Sequence, residues 1–164
     1  MIRSFDGMTP EIAESAYIDE TAVVIGDVVV ESDASVWPNV TLRGDAGRIV
    51  VGERANVQDN AVLHERCVLE PETTVGHSAI VHAATVGTGA LVGMNATVLD
   101  GAHIGEHAIV GAGAVVTEGT EVPPATLVTG IPAEHTADLD ESVGSSAAEH
   151  YVELAKQYGS VEME

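Results

Sequence analysis

Along most of this chain an aliphatic residue returns at every sixth position. Counting from Ile12, steps of six reach Ile18, Val24, Val30, Val36 and Leu42. After three extra residues the series resumes at Val51, Val57, Leu63, Leu69, Val75 and Val81. One step of five then leads to Val86, Val92, Val98, Ile104, Val110, Val116, Val122 and Val128. Four places after most of these stands a small residue, such as Ala22, Ala34, Ala61, Cys67, Ala79 or Ala96. Gly often follows the aliphatic directly, as in Val75-Gly76 and Ile104-Gly105. Six is not a multiple of the 3.6-residue helical turn, so no α-helix produces this series. A solenoid does: one aliphatic per repeat points inward and stacks on its counterpart in the next coil. The small residue fills the bend, and Gly is expected where a corner needs unusual dihedrals.

The pattern therefore predicts an all-β solenoid, a parallel β-helix of six-residue repeats over about residues 12–131 within a domain spanning 1–137. Residues 138–146 are polar and read as a linker. Within 147–164, Ala147 to Tyr158 has helical propensity, with Tyr151, Leu154, Ala155 and Tyr158 on one face, and is expected to pack along the solenoid. Cys67 occupies a small-residue slot, which makes it a corner filler rather than a nucleophile.

Composition sharpens this picture in two ways. Aromatic residues make up 3% of the chain against 45% hydrophobic, so Val, Ile, Leu and Ala must form the core. Six basic residues face 26 acidic ones, a formal charge of -20. Such a surface repels nucleic acid and anionic lipid, and excludes both as partners. It also repels itself, which suits a salt-rich cytoplasm; an ordinary acidic protein is the alternative. No charged-apolar-small start and no run of 18 apolar residues occurs, so neither a signal peptide nor a membrane span is expected. A single cysteine fits a reducing, cytoplasmic setting.

Three of the seven histidines are distinctive. His64 follows the inward Leu63 and His82 follows the inward Val81, a separation of 18, or one coil of three repeats. The two imidazoles therefore sit one above the other, about 4.8 Å apart at the backbone. That spacing lets both reach one ion at a Zn–N distance of about 2.0–2.1 Å. His77 lies two places after Val75, on the preceding face, and reaches such a site only from a second chain packed alongside. A cyclic trimer closes that contact three times. The other reading, of solvated surface histidines, stays open at this point, and His103, His107, His135 and His150 are assigned to the surface. Arg43 follows the inward Leu42 and suits bidentate pairing to a carboxylate at a subunit contact.

The segments Arg43-Gly44-Asp45, Asn56-Val57-Gln58-Asp59-Asn60, Leu63-His64, Thr74-Val75-Gly76-His77 and Val81-His82 resemble the γ-class carbonic anhydrases, within the hexapeptide-repeat proteins. The resemblance covers the repeat region in order, including the five-residue step after His82. It implies a left-handed β-helix, although parallel crossovers are usually right-handed. It implies a homotrimer in which His64 and His82 of one subunit and His77 of the next bind Zn²⁺, with Fe²⁺ or Co²⁺ as other metals. Gln58, with Asn56 nearby, would hydrogen-bond the metal's water. Arg43, Asp45 and Asp59 would form the charge network between subunits, and Tyr151 would border the pocket. The implied reaction is reversible hydration of CO₂ to bicarbonate by a metal-bound hydroxide. The chain departs from the best-studied members after Asp45, where Ala46-Gly47-Arg48 replaces an acidic loop with its proton-shuttling glutamate.

Two other functions fit a hexapeptide solenoid: acyl transfer from acyl-CoA with a histidine base, and a non-catalytic trimeric assembly subunit with a vestigial metal site. Few cations are present to hold CoA phosphates, which weighs against the first. The charge itself generates a test. Thermal stability should rise markedly between dilute buffer and molar KCl as the self-repulsion is screened; a melting temperature flat across that range would refute the halophilic reading.

Overall fold

A computed structural model describes residues 1–140 and 145–160. Short parallel strands stack on three faces. The first face carries Ile2–Arg3, the opening half of Val23–Val30, the opening half of Thr41–Val51, then Val62–His64, Ile80–His82, Thr97–Val98 and Val115–Val116. The second carries Glu11–Ile12, the closing halves of the same two long strands, then Val68–Leu69, Thr85–Val86, His103–Ile104 and Glu121–Val122. The third runs Tyr17–Ile18, Ser35–Val36, Asn56–Val57, Thr74–Val75, Leu91–Val92, Ile109–Val110 and Thr126–Thr129. Each face thus holds seven parallel strands, and the described residues make seven coils.

The six-residue series is the core. From Val24 to Val128 its aliphatics are buried, and Ile12 and Ile18 pack partly buried against them in the first coil. Burial of one Val, Ile or Leu per repeat contributes about 1.5–3 kcal/mol each before the entropy of ordering is set against it. The small residues sit in the bends, and Cys67 is fully buried there, with Sγ donating to the carbonyls of His64 and Val81 at 3.1 and 3.2 Å. Burial pushes its thiol pKa up, consistent with an inert filler.

Glycine plays a different part from the one expected. Gly76, Gly87, Gly93, Gly105 and Gly111, which follow the inward aliphatics, do not have positive φ. They are required by close approach: a Cβ on Gly93 would lie 2.6 Å from the Ala112 nitrogen, and one on Gly105 2.5 Å from the Pro124 nitrogen. The left-handed corner positions go largely to other residues, among them Asn60 (φ 61), Ser78 (φ 60) and Asn95 (φ 58). His107, expected at the surface, lays its ring against Gly89 and buries its Nδ1 without a hydrogen-bond partner among the described residues.

After the last coil Glu134–Asp138 pairs antiparallel with Thr126–Thr129, so Asp138, the first residue of the expected linker, ends a strand. Positions 141–144 of that linker lie outside the described residues. The helix spans Ser145–Gly159 and lies on the third face over its first coils. Its most buried residues are Ala148, Val152 and Ala155 rather than Leu154 and Tyr158, because small side chains let the helix approach the strands closely. Tyr158 is 52% exposed yet its ring meets those of Tyr17 and Trp37.

Two glycines separate close approach from propensity. Gly105→Ala should cost about 1–3 kcal/mol, as overpacking does. Gly159→Ala, with no atom within 4 Å of the added Cβ, should not lower stability. Urea midpoints of the two variants decide the matter: equal midpoints would refute the close-approach account.

Candidate metal centre

The corner between the first and second faces is where coil length varies. Thr41 pairs with Val62, a coil of 21 residues, and Ile80 pairs with Thr97, a coil of 17, while Val62 and Ile80 are 18 apart. The extra residues form the Gly44-Asp45-Ala46-Gly47 bend, and Gly44 faces the backbone of Asp27 with no room for a side chain. The last outward positions of the first face align as Arg43, His64 and His82, each in register with the next.

His64 Nδ1 lies 3.1 Å from His82 Nε2, with ring centroids 4.9 Å apart. Behind each ring is an aspartate. His64 Nε2 faces Asp45 Oδ1 at 3.2 Å, and His82 Nδ1 faces Asp100 Oδ1 at 2.6 Å. With each rear nitrogen donating its N–H to the carboxylate behind it, the front nitrogen presents a lone pair. Arg43 Nη2 donates to His64 Nδ1 at 3.2 Å, which marks that nitrogen as an acceptor. Two lone-pair nitrogens thus face each other at 3.1 Å. That arrangement is repulsive unless a proton or a metal ion lies between them. Two nitrogens on one tetrahedral zinc stand about 3.3 Å apart, from a Zn–N distance of about 2.0–2.1 Å. The pair fits a metal.

Arg43 also bridges to Asp45 Oδ2 at 2.9 Å. Desolvation pushes the Asp45 carboxyl up, but hydrogen bonds from Arg43 and His64 outweigh it and hold the group below its usual range. His77 stands on the other edge of the first face. Its corner stacks on that of Asp59 through the Ser78 N–H to the Asp59 carbonyl at 2.9 Å, and its Nδ1 meets Asp59 Oδ2 at 3.0 Å. On one chain it does not join the pair: among the described residues, the group whose ligand atoms converge is His64, Glu65 and His82.

Near His77, Gln58 and Asn56 are both buried. Gln58 Nε2 donates to Asn56 Oδ1 at 3.1 Å, and Asn56 Nδ2 donates to Thr74 Oγ1 at 2.9 Å. Tyr151 is held by Trp37, ring centroids 5.3 Å apart, and burial together with the nearby Asp59 raises its phenol pKa. The sequence reading missed Asp100, Thr74 and Trp37. The signal for two of them was present: Asp100 follows His82, and Thr74 follows Asn56, by the one-coil interval of 18.

Comparison with known proteins adds the following. Residues 83–118 match the family described as bacterial transferase hexapeptide (six repeats). A protein named carbonic anhydrase from Geobacillus kaustophilus is 43% identical over 145 residues, covering 86% of this chain and 80% of that protein. The carnitine operon protein CaiE of Escherichia coli is 39% identical over 96 residues, 56% of this chain but only 49% of CaiE. Among solved structures, a hexapeptide transferase family protein from Anaplasma phagocytophilum superposes with a TM-score of 0.93 at 37% identity, covering 96% of this chain and 97% of the other. A putative acetyltransferase from Bacillus cereus superposes with a TM-score of 0.94 at 37% identity, covering 98% of each chain. The solenoid is of the left-handed hexapeptide type.

The Asp45 carboxyl sets a pH test. Its folded pKa lies below the unfolded one, so its contribution is present above the unfolded pKa and lost as pH falls through the folded value. Metal-free protein should be more stable than Asp45→Asn at neutral pH, and the gap should close as pH drops below about 4. Urea unfolding across pH 3–7 measures it; a gap independent of pH would refute the assignment.

Proposed function

Because the chain belongs to the γ-class carbonic anhydrase family of hexapeptide-repeat proteins, we propose that it hydrates CO₂ reversibly to bicarbonate at a zinc centre shared between the subunits of a homotrimer. The observation that carries this reading is the facing pair of lone-pair nitrogens, His64 Nδ1 and His82 Nε2, each backed by an aspartate. A neighbouring subunit's His77 supplies the third ligand, its Nδ1 engaged by Asp59 and its Nε2 left free. When bound, zinc supplies Lewis acidity that lets a water lose its proton near neutral pH.

The chain's own groups do the rest. Asp45, Asp59 and Asp100 orient the three imidazoles. Asn56 fixes one amide hydrogen of Gln58, itself held by Thr74, so the remaining amide atoms of Gln58 are preset to hold the attacking water. A groove runs from Gln58 past Leu91, Met94 and Ile109 to Ala147 and presents apolar surface to an uncharged substrate. Tyr151, whose pKa burial and Asp59 raise, stays a protonated donor.

Acyl transfer draws support from the transferase and acetyltransferase descriptions of the two structural neighbours. Against it, Arg43, Arg48 and Arg54 are already paired with Asp45, Asp27 and Glu72, which leaves little cationic surface for CoA phosphates.

His82→Ala should abolish zinc content and CO₂ hydration with the fold intact. His64→Ala and His77→Ala should each be inactive alone. Unfolded, mixed equally and refolded together, they should recover about a quarter of wild-type activity, since random cyclic assembly places a good pair beside a good His77 in that share of interfaces. No recovery, with mixed trimers shown to have formed, sinks the shared site.

A further inference from the structure

Glu65 follows His64 at the corner, and its position there is fixed. Its backbone is left-handed at φ 62, its carbonyl accepts from the Cys67 N–H at 2.9 Å, and the corner of the next coil docks on it as the Ala83 N–H donates to the His64 carbonyl at 3.1 Å. The coil above is one residue short here, with Ala83 at its corner while Ala84 packs into the core. The neighbouring Arg66 packs its aliphatic stem against Gly47. Asp45 is engaged by Arg43 and His64, and Asp100 by His82. The Glu65 carboxylate, by contrast, makes no ion pair or side-chain hydrogen bond among the described residues. Its oxygen lies with the ring nitrogens of His64 and His82 in a group whose members are all within 4.8 Å of one another.

We propose that Glu65 closes a metal site within a single chain: His64, Glu65 and His82 together hold a zinc ion before any neighbour contributes His77. This rests on the reading of the histidine pair as a metal centre and adds a ligand to it. The chemistry is favourable, since two imidazoles and a carboxylate are a common zinc ligand set. A carboxylate ligand also offsets the ion's charge while the coordination shell is incomplete. Metal loading is then a property of the chain, and assembly exchanges or adds a ligand at a site that is already filled.

The test uses zinc alone and reads affinity, not turnover. Wild type, His77→Ala, His77→Ala with Glu65→Gln, and His82→Ala are titrated with zinc against a chromophoric chelator, with circular dichroism confirming the fold. His77→Ala should keep one zinc per chain. Adding Glu65→Gln should weaken that binding by at least the roughly 10–100-fold that loss of even an outer-sphere partner brings. A double variant that binds as tightly as His77→Ala, or a His77→Ala protein that holds no zinc, overturns the proposal and leaves the shared site standing. Wild-type zinc affinity in His82→Ala would instead overturn the metal centre itself, and this proposal with it.

Discussion

The register between successive coils governs everything at this site. A strand two or three residues long carries little stability of its own, and its position is set by the hydrogen bonds and aliphatic contacts to the rung below and the rung above. Leu63 stacks on Leu42 and Val81 stacks on Leu63, and the outward neighbours of those three residues are Arg43, His64 and His82. A slip of one residue would turn each outward side chain into the core and each core residue to solvent. The packing that stabilises the prism therefore also stacks the two imidazoles, and the aspartates behind them set the orientation of the rings.

Electrostatics is handled locally in a chain whose overall charge is strongly negative. Three of the five arginines reach a carboxylate on an adjacent coil or at the same bend: Arg43 to Asp45, Arg48 to Asp27 and Arg54 to Glu72. These pairs are exposed enough that each adds little stability by itself. Their value lies in placement, since Arg43 neutralises Asp45 while Asp45 holds the rear of His64.

Much of this was legible in the sequence because a solenoid converts sequence interval into spatial adjacency. The six-residue series gave the core, and the interval of 18 between His64 and His82 gave the pair. The same interval applied to His82 would have pointed to Asp100, and applied to Asn56 would have pointed to Thr74. What the interval does not reveal is separation across coils at one point, which is why the glycines after the inward aliphatics were read as dihedral devices when their constraint is steric. Trp37 was overlooked for a related reason: its partners Tyr151 and Tyr158 come from the helix, whose seat on the solenoid no repeat dictates. The short corner was marked by the five-residue step from Val81 to Val86, but the place of Glu65 beside the pair was visible only once the bend was built.

The three irregular coils, two long (Ile2 to Val24 and Thr41 to Val62) and one short (Ile80 to Thr97), change length at the same edge, between the first and second faces. On either side of that edge the strands remain paired, as Thr41 with Val62 on the first face and Thr85 with His103 on the second show. A stack of this kind has translational symmetry along its axis, and a break confined to one edge leaves that symmetry intact elsewhere. Insertions and deletions there are accordingly decoupled from the hydrophobic core. The edge that bears His64 and His82 is thus also a line along which loop length changes while the core stacking stays the same.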